Sequence, residues 1–140
     1  MSLRYALLSL ALLAPAPALA ATGDTAVGTW TNPKHSIEVR TRRCGSELCG
    51  TVTAASAKAK AKAQRAGVTS LVGTELFRDY QRNGNGWSGT LYVPDKGRTV
   101  SSRIQPNGPD QLSISGCLIG RILCKTQVWT RVGARSMAAR

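Results

Sequence analysis

Short runs in which apolar and polar residues alternate recur through most of the sequence. Val39, for example, lies between Glu38 and Arg40 in such a run. Successive side chains of a β-strand point to opposite faces, so the pattern predicts strands with one buried and one exposed face. The predicted strands cover residues 27–31, 36–42, 50–53, 73–82, 87–93, 99–105, 111–116 and 125–132.

The connections between these runs are mostly short and rich in Gly, Asn, Asp and Pro, as at 83–86, 94–97 and 106–109. Such residues supply the backbone conformations of tight hairpins, and short connections place consecutive strands side by side. The sequence therefore predicts an all-β domain, an antiparallel up-and-down meander. We expect it to close into a small eight-stranded barrel, because closure removes the exposed edges of the sheet.

One stretch departs from this pattern. Residues 54–66 consist mainly of Ala and Lys, which favour helices and disfavour strands. We expect a short exposed helix or a mobile loop there. It carries the cations Lys58, Lys60, Lys62 and Arg65.

The first twenty residues have the features of a cleaved signal peptide. Arg4 precedes an apolar stretch, and Ala18-Leu19-Ala20 fits the cleavage rule. The stretch is too short to span a bilayer, and prolines interrupt it. The predicted organisation is a signal peptide at 1–20, one barrel domain at 21–132 and a basic C-terminal tail at 133–140. The mature protein, without a transmembrane segment, is expected to be periplasmic or secreted.

The four cysteines agree with export, because an even number in an exported chain usually forms disulfides. Three pairings are possible. We favour Cys44 with Cys49 and Cys117 with Cys124, since each bridge then closes a short turn. The alternative is a four-thiolate zinc site, which these spacings fit poorly. No metal site is predicted.

Charge and composition narrow the function. The 140 residues contain 19 Lys and Arg against 7 Asp and Glu, a formal net charge of +12, with one histidine, His35. A histidine-based catalytic site would have to use His35, which turn residues surround, and we expect that residue to be exposed. The charge favours an anionic partner such as the surface of the cell envelope. Nucleic acid is not expected, because stacking aromatic residues are few.

Two motifs suggest other chemistry. Residues 84–89 match the dinucleotide motif G-x-G-x-x-G, but no helix follows them, so we interpret them as a hairpin turn. Among the carboxylates, Glu75 and Asp79 share a strand but lie too far apart for a glycosidase pair. Pairing across strands with Asp95 or Asp110 stays open. It underlies one alternative function, a small hydrolase at the barrel rim.

Further motifs carry a resemblance to known proteins. Gly28-Thr29-Trp30 near the first strand and Trp129-Thr130-Arg131 on the last resemble the lipocalins and related calycin barrels. That resemblance implies that Arg131 stacks on Trp30, a cation–π contact.

A more specific resemblance runs through most of the chain. The motif C-G-x-x-L-C-G at 44–50 is followed in order by 87–89, 92–99, 112–117 and 126–131. Together these resemble a family of small exported bacterial proteins of unknown function with a lipocalin-like barrel. The resemblance covers about residues 26–132 and implies no catalytic residues and no cofactor.

The expected function is non-enzymatic: binding of a small, partly apolar molecule, or an accessory role in the envelope. An eight-stranded barrel has room for one small ligand or for its own side chains. A ligand site requires a continuous cavity of at least about 300 Å³. An alternative is a basic protein that binds anionic lipid or polysaccharide. The candidate lining residues, for which plain core packing is the competing role, are Val39, Leu76, Trp87, Leu91, Val100, Ile104 and Ile114.

Overall fold

The computed structural model describes residues 24–118 and 123–133, together with Ala14. It contains eight strands and one helix. The strands are β1 (Gly28–Thr31), β2 (Ile37–Cys44), β3 (Glu47–Ala55), β4 (Glu75–Asn83), β5 (Gly86–Val93), β6 (Arg98–Pro106), β7 (Gln111–Cys117) and β8 (Cys124–Arg131), and the helix is α1 (Ala57–Arg65). The predicted signal peptide and basic tail lie outside the described residues, apart from Ala14 and Gly133.

The strands form a closed antiparallel barrel in sequence order. Each strand pairs with the next, and β1 also pairs with β8 through Trp30 opposite Arg131 and Thr31 opposite Thr130. The predicted fold, an eight-stranded up-and-down barrel, is confirmed. No helix in the described part of the chain is long and apolar enough to cross a membrane.

The antiparallel order gives the barrel two chemically distinct ends. One end, here the helical end, carries the connections 32–36, 56–74, 94–97 and 118–123. The other end, here the tryptophan end, carries the turns 45–46, 84–85 and 107–110 and the flanking segments 24–27 and 132–133. Trp30 packs near the latter end, which gives it its name.

The four cysteines form two disulfides, in the pairing favoured from the sequence. Cys44 and Cys49 bridge the ends of the β2–β3 hairpin. Cys117 and Cys124 lie directly opposite each other at the start of the β7–β8 hairpin. Because both bridges lock connections that are already local, they brace single hairpins and leave closure of the barrel to other contacts.

The Ala/Lys-rich stretch forms a helix, but a shorter one than the 54–66 segment. Ala54 and Ala55 still pair with β2 at the end of β3. The helix begins after Ser56, whose side chain accepts a hydrogen bond from the Ala59 amide at 3.1 Å. Such a cap satisfies one of the free amides of the first turn. Ala63 on the inner side of α1 is buried against the core, so the helix is anchored to the barrel and is not a mobile loop.

The predicted strand at 50–53 is three residues too short at its start, since β3 begins at Glu47. Leu48 belongs to the buried core, and its pairing with Arg43 continues the β2–β3 ladder up to the disulfide. The residues of the G-x-G-x-x-G motif form the turn between β4 and β5 and the start of β5. The hairpin interpretation of that motif is therefore confirmed.

Candidate functional site

The barrel closes at its tryptophan end through Arg131. Its guanidinium lies 4.2 Å from the centroid of the Trp30 ring, the arrangement that the lipocalin resemblance implies. It also donates hydrogen bonds to the backbone carbonyls of Val27, Thr25 and Pro109, at 3.1, 3.1 and 2.8 Å. A Cβ atom on Gly28 would overlap the guanidinium. The glycine of the first-strand motif is thus needed to make room for arginine.

The indole of Trp30 is fully buried and fixed by hydrogen bonds. Its Nε1 donates to the Ala26 carbonyl and to the Thr41 hydroxyl, both at 3.1 Å. This end of the barrel is therefore closed by a packed structural contact, in which the indole N–H of Trp30 has hydrogen-bond partners.

The strand register places most of the candidate lining residues on one face. Trp87 lies opposite Ile104, and Ile104 lies opposite Ile114. Leu91 and Val100 lie on the same face two rows further towards the helical end. Val39 of β2 lies opposite Trp30 of β1, and Trp30 lies opposite Arg131 of β8. Trp129 is on the same face of β8 as Arg131 and lies opposite Leu112 of β7, so the interior face continues around the barrel.

Leu76 differs from the other six candidates. It is buried, but it lies at an irregularity of the β3–β4 pairing, beside Phe77. The residue opposite Leu91 on β4 is Phe77, whose ring packs against Gly50 of β3. A Cβ atom on Gly50 would overlap that ring. Phe77 therefore takes the interior position on β4 that the sequence analysis gave to Leu76.

Other interior residues were also missed. The interior contains Leu48, Tyr80, Leu112 and Trp129, all buried in one cluster with Trp30 and Trp87. Phe77 and Tyr80 face the same side of β4 although they are three residues apart, a spacing that regular strand alternation would place on opposite sides. The exception arises because Asp79 between them has a positive φ of 55° and the β4–β5 register shifts there. An irregularity of this kind breaks the two-residue period on which the strand prediction relies.

Two polar atoms of the interior have no hydrogen-bond partner in the described part of the chain. They are the hydroxyl of Tyr80 and Nε1 of Trp87, and both side chains are fully buried. The Trp87 ring itself is held at its position, with the guanidinium groups of Arg43 and Arg82 at 5.0 and 4.8 Å from its centroid. Unpartnered buried polar groups are rare in proteins, and each one calls for an explanation.

A row of small residues lies beside the Tyr80 ring. Gly89 is in contact with Tyr80 itself, and on the strands beyond it Ser102 and Gly116 occupy successive paired positions. The Ser102 hydroxyl donates to the Ser115 carbonyl at 2.6 Å. A Cβ atom on Gly116 would contact Val100 and Leu91, which confirms that this row faces the interior.

The row of small residues ends at an exposed part of the wall. Lys125 lies opposite Gly116, and Gln127 lies opposite Ile114. Both have the interior parity of β8, yet both are exposed, whereas Trp129 on the same face is buried. Solvent therefore reaches the interior face of β8 from the helical end.

Two depressions flank α1 outside this row. One, of about 350 Å³, is lined by Lys62, Arg65, Ala66, Asp95 and Lys96. The other, of about 180 Å³, is lined by Lys60, Gln64 and residues 69–72. Neither is lined by any of the seven candidate residues. The expected 300 Å³ pocket therefore does not coincide with either depression.

Of the carboxylates considered for hydrolysis, Asp95 and Asp110 lie at opposite ends of the barrel, whereas Glu75 begins β4 at the same end as Asp95. Asp95 lies in a turn at the helical end, and Asp110 lies in a turn at the tryptophan end, 3.7 Å from Arg131 Nε. The expected exposure of His35 is confirmed. Within residues 24–118 and 123–133, no three His, Cys, Asp or Glu side chains are grouped as a metal site would require.

Comparison with known proteins extends these observations. Residues 28–131 match a bacterial family described as "Uncharacterized protein conserved in bacteria (DUF2147)". The chain belongs to this family. The matched region runs from the glycine beneath the Arg131 guanidinium to Arg131 itself, so family membership covers the whole closed barrel of this DUF2147 member.

A solved structure shows a similar fold. It is the Helicobacter pylori protein HP1028, described as belonging to the lipocalin family, with a TM-score of 0.62 and 16% sequence identity. The match covers 81% of this chain and 86% of the other. At that identity the likeness establishes a lipocalin-like fold. No curated protein matches the chain.

Burial also makes the stability of the barrel depend on pH through Tyr80. Removal from water raises the pKa of its hydroxyl, and the Ser102 hydroxyl, which lies near it but outside hydrogen-bond geometry, lowers the pKa by a smaller amount. In the unfolded chain a tyrosine loses its proton near pH 10. The unfolded state therefore binds fewer protons than the folded state above about pH 10, so the stabilisation is complete below that pH and is lost as the pH rises.

We expect the free energy of unfolding to fall between about pH 9 and pH 11 in the wild type and less steeply in Tyr80→Phe. Urea unfolding at a series of pH values measures the difference. Tyr92→Phe is the control, since it removes a phenol that is only partly buried. Equal slopes for the wild type and Tyr80→Phe would contradict the assignment.

Proposed function

We propose that this protein is a periplasmic or secreted binding protein that holds one small, partly apolar molecule inside its barrel. The observation that carries the proposal is the pair of buried, unpartnered polar atoms on neighbouring strands, Tyr80 Oη on β4 and Trp87 Nε1 on β5. The signal-peptide features of residues 1–20 and the two disulfides support export, because disulfides are typical of oxidising compartments.

The energetics favour a ligand over a purely structural role for these two groups. A buried donor without a partner costs about 1–3 kcal/mol. A core selected for packing alone would more readily carry phenylalanine at position 80 than tyrosine. The row beside the Tyr80 ring carries only small residues, Gly89, Ser102 and Gly116. An eight-stranded barrel has room for one small ligand where its own side chains do not fill the interior.

The chemistry of the two groups limits the ligand. An indole N–H can only donate, whereas a phenol can donate or accept. The molecule must therefore carry at least one acceptor, such as a carbonyl, carboxylate or ether oxygen. Its body would contact Leu91, Val100 and Ile114, which are apolar. Lys125 at the exposed end of the row favours a neutral or anionic molecule over a cation.

The proposed role is binding rather than catalysis. The buried polar side chains of the described interior are the phenol of Tyr80, the indoles, and the hydroxyls of Thr41 and Ser102. General acid–base catalysis works best with a group that titrates near the operating pH. Burial moves the pKa of Tyr80 further from neutrality, which suits a hydrogen-bond donor and not a proton-transfer group.

Native mass spectrometry of the protein purified from its own host tests this proposal. We expect a bound mass in the wild type that is retained in Tyr92→Phe and lost or strongly reduced in Tyr80→Phe and in Trp87→Phe. Tyr80→Phe should fold with unchanged or slightly higher stability when no ligand is present, since it removes an unpartnered hydroxyl. Loss of binding would then not reflect unfolding.

Two results would overturn the proposal. The first is a wild-type protein that carries no small molecule after gentle isolation from its host. The second is a bound molecule that is retained equally in Tyr80→Phe and Trp87→Phe, which would place it elsewhere on the chain.

A further inference from the structure

The two ends of the barrel differ strongly in charge. Eight exposed Lys and Arg side chains lie in the connections of the helical end or at the strand residues next to them. In the same region there are three acidic residues, Glu38, Glu75 and Asp95. The cations, here called the cationic rim, are Lys34, Lys58, Lys60, Lys62, Arg65, Lys96, Arg98 and Lys125.

Ion pairing does not neutralise the cationic rim. Both ion pairs among the described residues, Arg43 with Asp24 and Arg131 with Asp110, lie at the tryptophan end. Eight cations against three carboxylates leave an excess of five positive charges at the helical end. An uncompensated surface of this kind attracts anionic partners over the range of the Debye length.

Among the described residues, three of the five exposed large apolar side chains lie at the same end, and the other two, Val128 and Val132, lie on β8 and just after it. Leu118 and Leu123 are 53% and 54% exposed, and Val72 is 40% exposed. The two leucines face each other across the β7–β8 hairpin, where the Leu118 amide donates to the Leu123 carbonyl at 2.8 Å. The Cys117–Cys124 disulfide holds the base of this hairpin. Lys125 follows directly, so the leucines project beside a cation.

The presence of exposed cations and exposed apolar side chains at one end indicates which class of partner fits that end. A polysaccharide or a nucleic acid would neutralise the cationic rim but would leave Leu118, Leu123 and Val72 in water. The interfacial region of a bilayer accommodates both, because phosphates lie next to an apolar phase. Small exposed apolar groups bordered by cations are the usual composition of peripheral membrane-binding surfaces.

We propose that the helical end docks on a bilayer that contains anionic phospholipid. The cationic rim lies against the lipid phosphates, and the leucines of the β7–β8 hairpin enter the interfacial region. This role is independent of the proposed interior ligand. It concerns the outer surface of the helical end and does not involve Tyr80 or Trp87, although Lys125 borders both sites.

Co-sedimentation of the purified protein with lipid vesicles tests the proposal. Vesicles of phosphatidylglycerol mixed with phosphatidylcholine should bind the protein at low salt, and vesicles of phosphatidylcholine alone should bind it much more weakly. Lys58→Gln combined with Lys62→Gln should weaken binding about 10- to 30-fold, since each cation near the surface contributes to the attraction. Leu118→Ser combined with Leu123→Ser should weaken it about tenfold without a change in net charge.

The matched control removes the same charge from another place. Arg40 and Arg42 are exposed on β2, outside the cationic rim, and Arg40→Gln combined with Arg42→Gln should change binding less than about threefold. Circular dichroism of each variant checks the fold, and Val72→Ser replaces the leucine pair if that variant does not fold.

The proposal fails if the two charge variants lose affinity equally, because net charge alone would then account for the attraction. It also fails if the leucine variant binds vesicles as the wild type does, or if mixed and neutral vesicles bind equally. Binding to a soluble anionic polysaccharide that matches vesicle binding and ignores the leucines would assign the cationic rim to that partner instead.

Discussion

Replacement of Arg131 by alanine should lower the free energy of unfolding by about 3 kcal/mol or more. The substitution removes three hydrogen bonds from a charged donor to backbone carbonyls and one cation–π contact with Trp30. It also leaves a cavity against Gly28, which has no side chain to fill it. Guanidinium unfolding followed by tryptophan fluorescence measures the effect.

Two further variants separate the causes. Arg131→Lys keeps the positive charge but cannot span three carbonyls, so an intermediate loss is expected. Arg42→Ala removes an exposed arginine from the barrel wall and should change stability by less than about 0.5 kcal/mol. A loss below about 1 kcal/mol for Arg131→Ala would show that the barrel closes without this side chain.

The second large effect is expected at Gly89. A Cβ atom there would lie 2.7 Å from Cα of Tyr80 and 2.8 Å from the carbonyl oxygen of Arg78. Both are backbone atoms of β4, which cannot move aside without breaking the β4–β5 pairing. Gly89→Ala should therefore destabilise the fold by about 3 kcal/mol, at the upper end of the usual range for overpacking.

Gly116→Ala is the matched control for Gly89→Ala. Its added Cβ would meet only the ends of the Val100 and Leu91 side chains, at 3.3 and 3.7 Å. We expect a loss of less than about 1 kcal/mol, because side-chain ends can shift by a few tenths of an ångström. Thermal unfolding of both variants makes the comparison. Equal losses would contradict the contact geometry.

The order of the strands was predictable from local patterns, whereas closure of the barrel was expected because it removes the exposed edges of the sheet. Each strand carries its own alternation, and each short connection restricts its neighbours to antiparallel pairing. The disulfide pairing followed for a similar reason, since Cys117 and Cys124 flank one hairpin and Cys44 and Cys49 another. These features depend on residues close together in the sequence.

The interior was less predictable, because its composition depends on pairing between distant residues. Phe77 rather than Leu76 faces Leu91, owing to irregularities in the pairing of β4 with its neighbours. Glycines at positions 50 and 89 make room for the rings of Phe77 and Tyr80, and this match is visible only once the strands are aligned. The absence of hydrogen-bond partners for Tyr80 and Trp87 in the described residues likewise has no signature in the sequence.

Arg131 joins the last strand to a carbonyl 104 positions earlier, at Val27. Contacts between residues so far apart in the sequence form late in folding, because a long stretch of chain must be ordered before the contact contributes any stabilising free energy. A chain still emerging from the ribosome or the export channel therefore has an open sheet with two free edges. Those edges are templates for intermolecular pairing, so a product truncated before β8 would be prone to aggregation even with its first seven strands and most of its core intact.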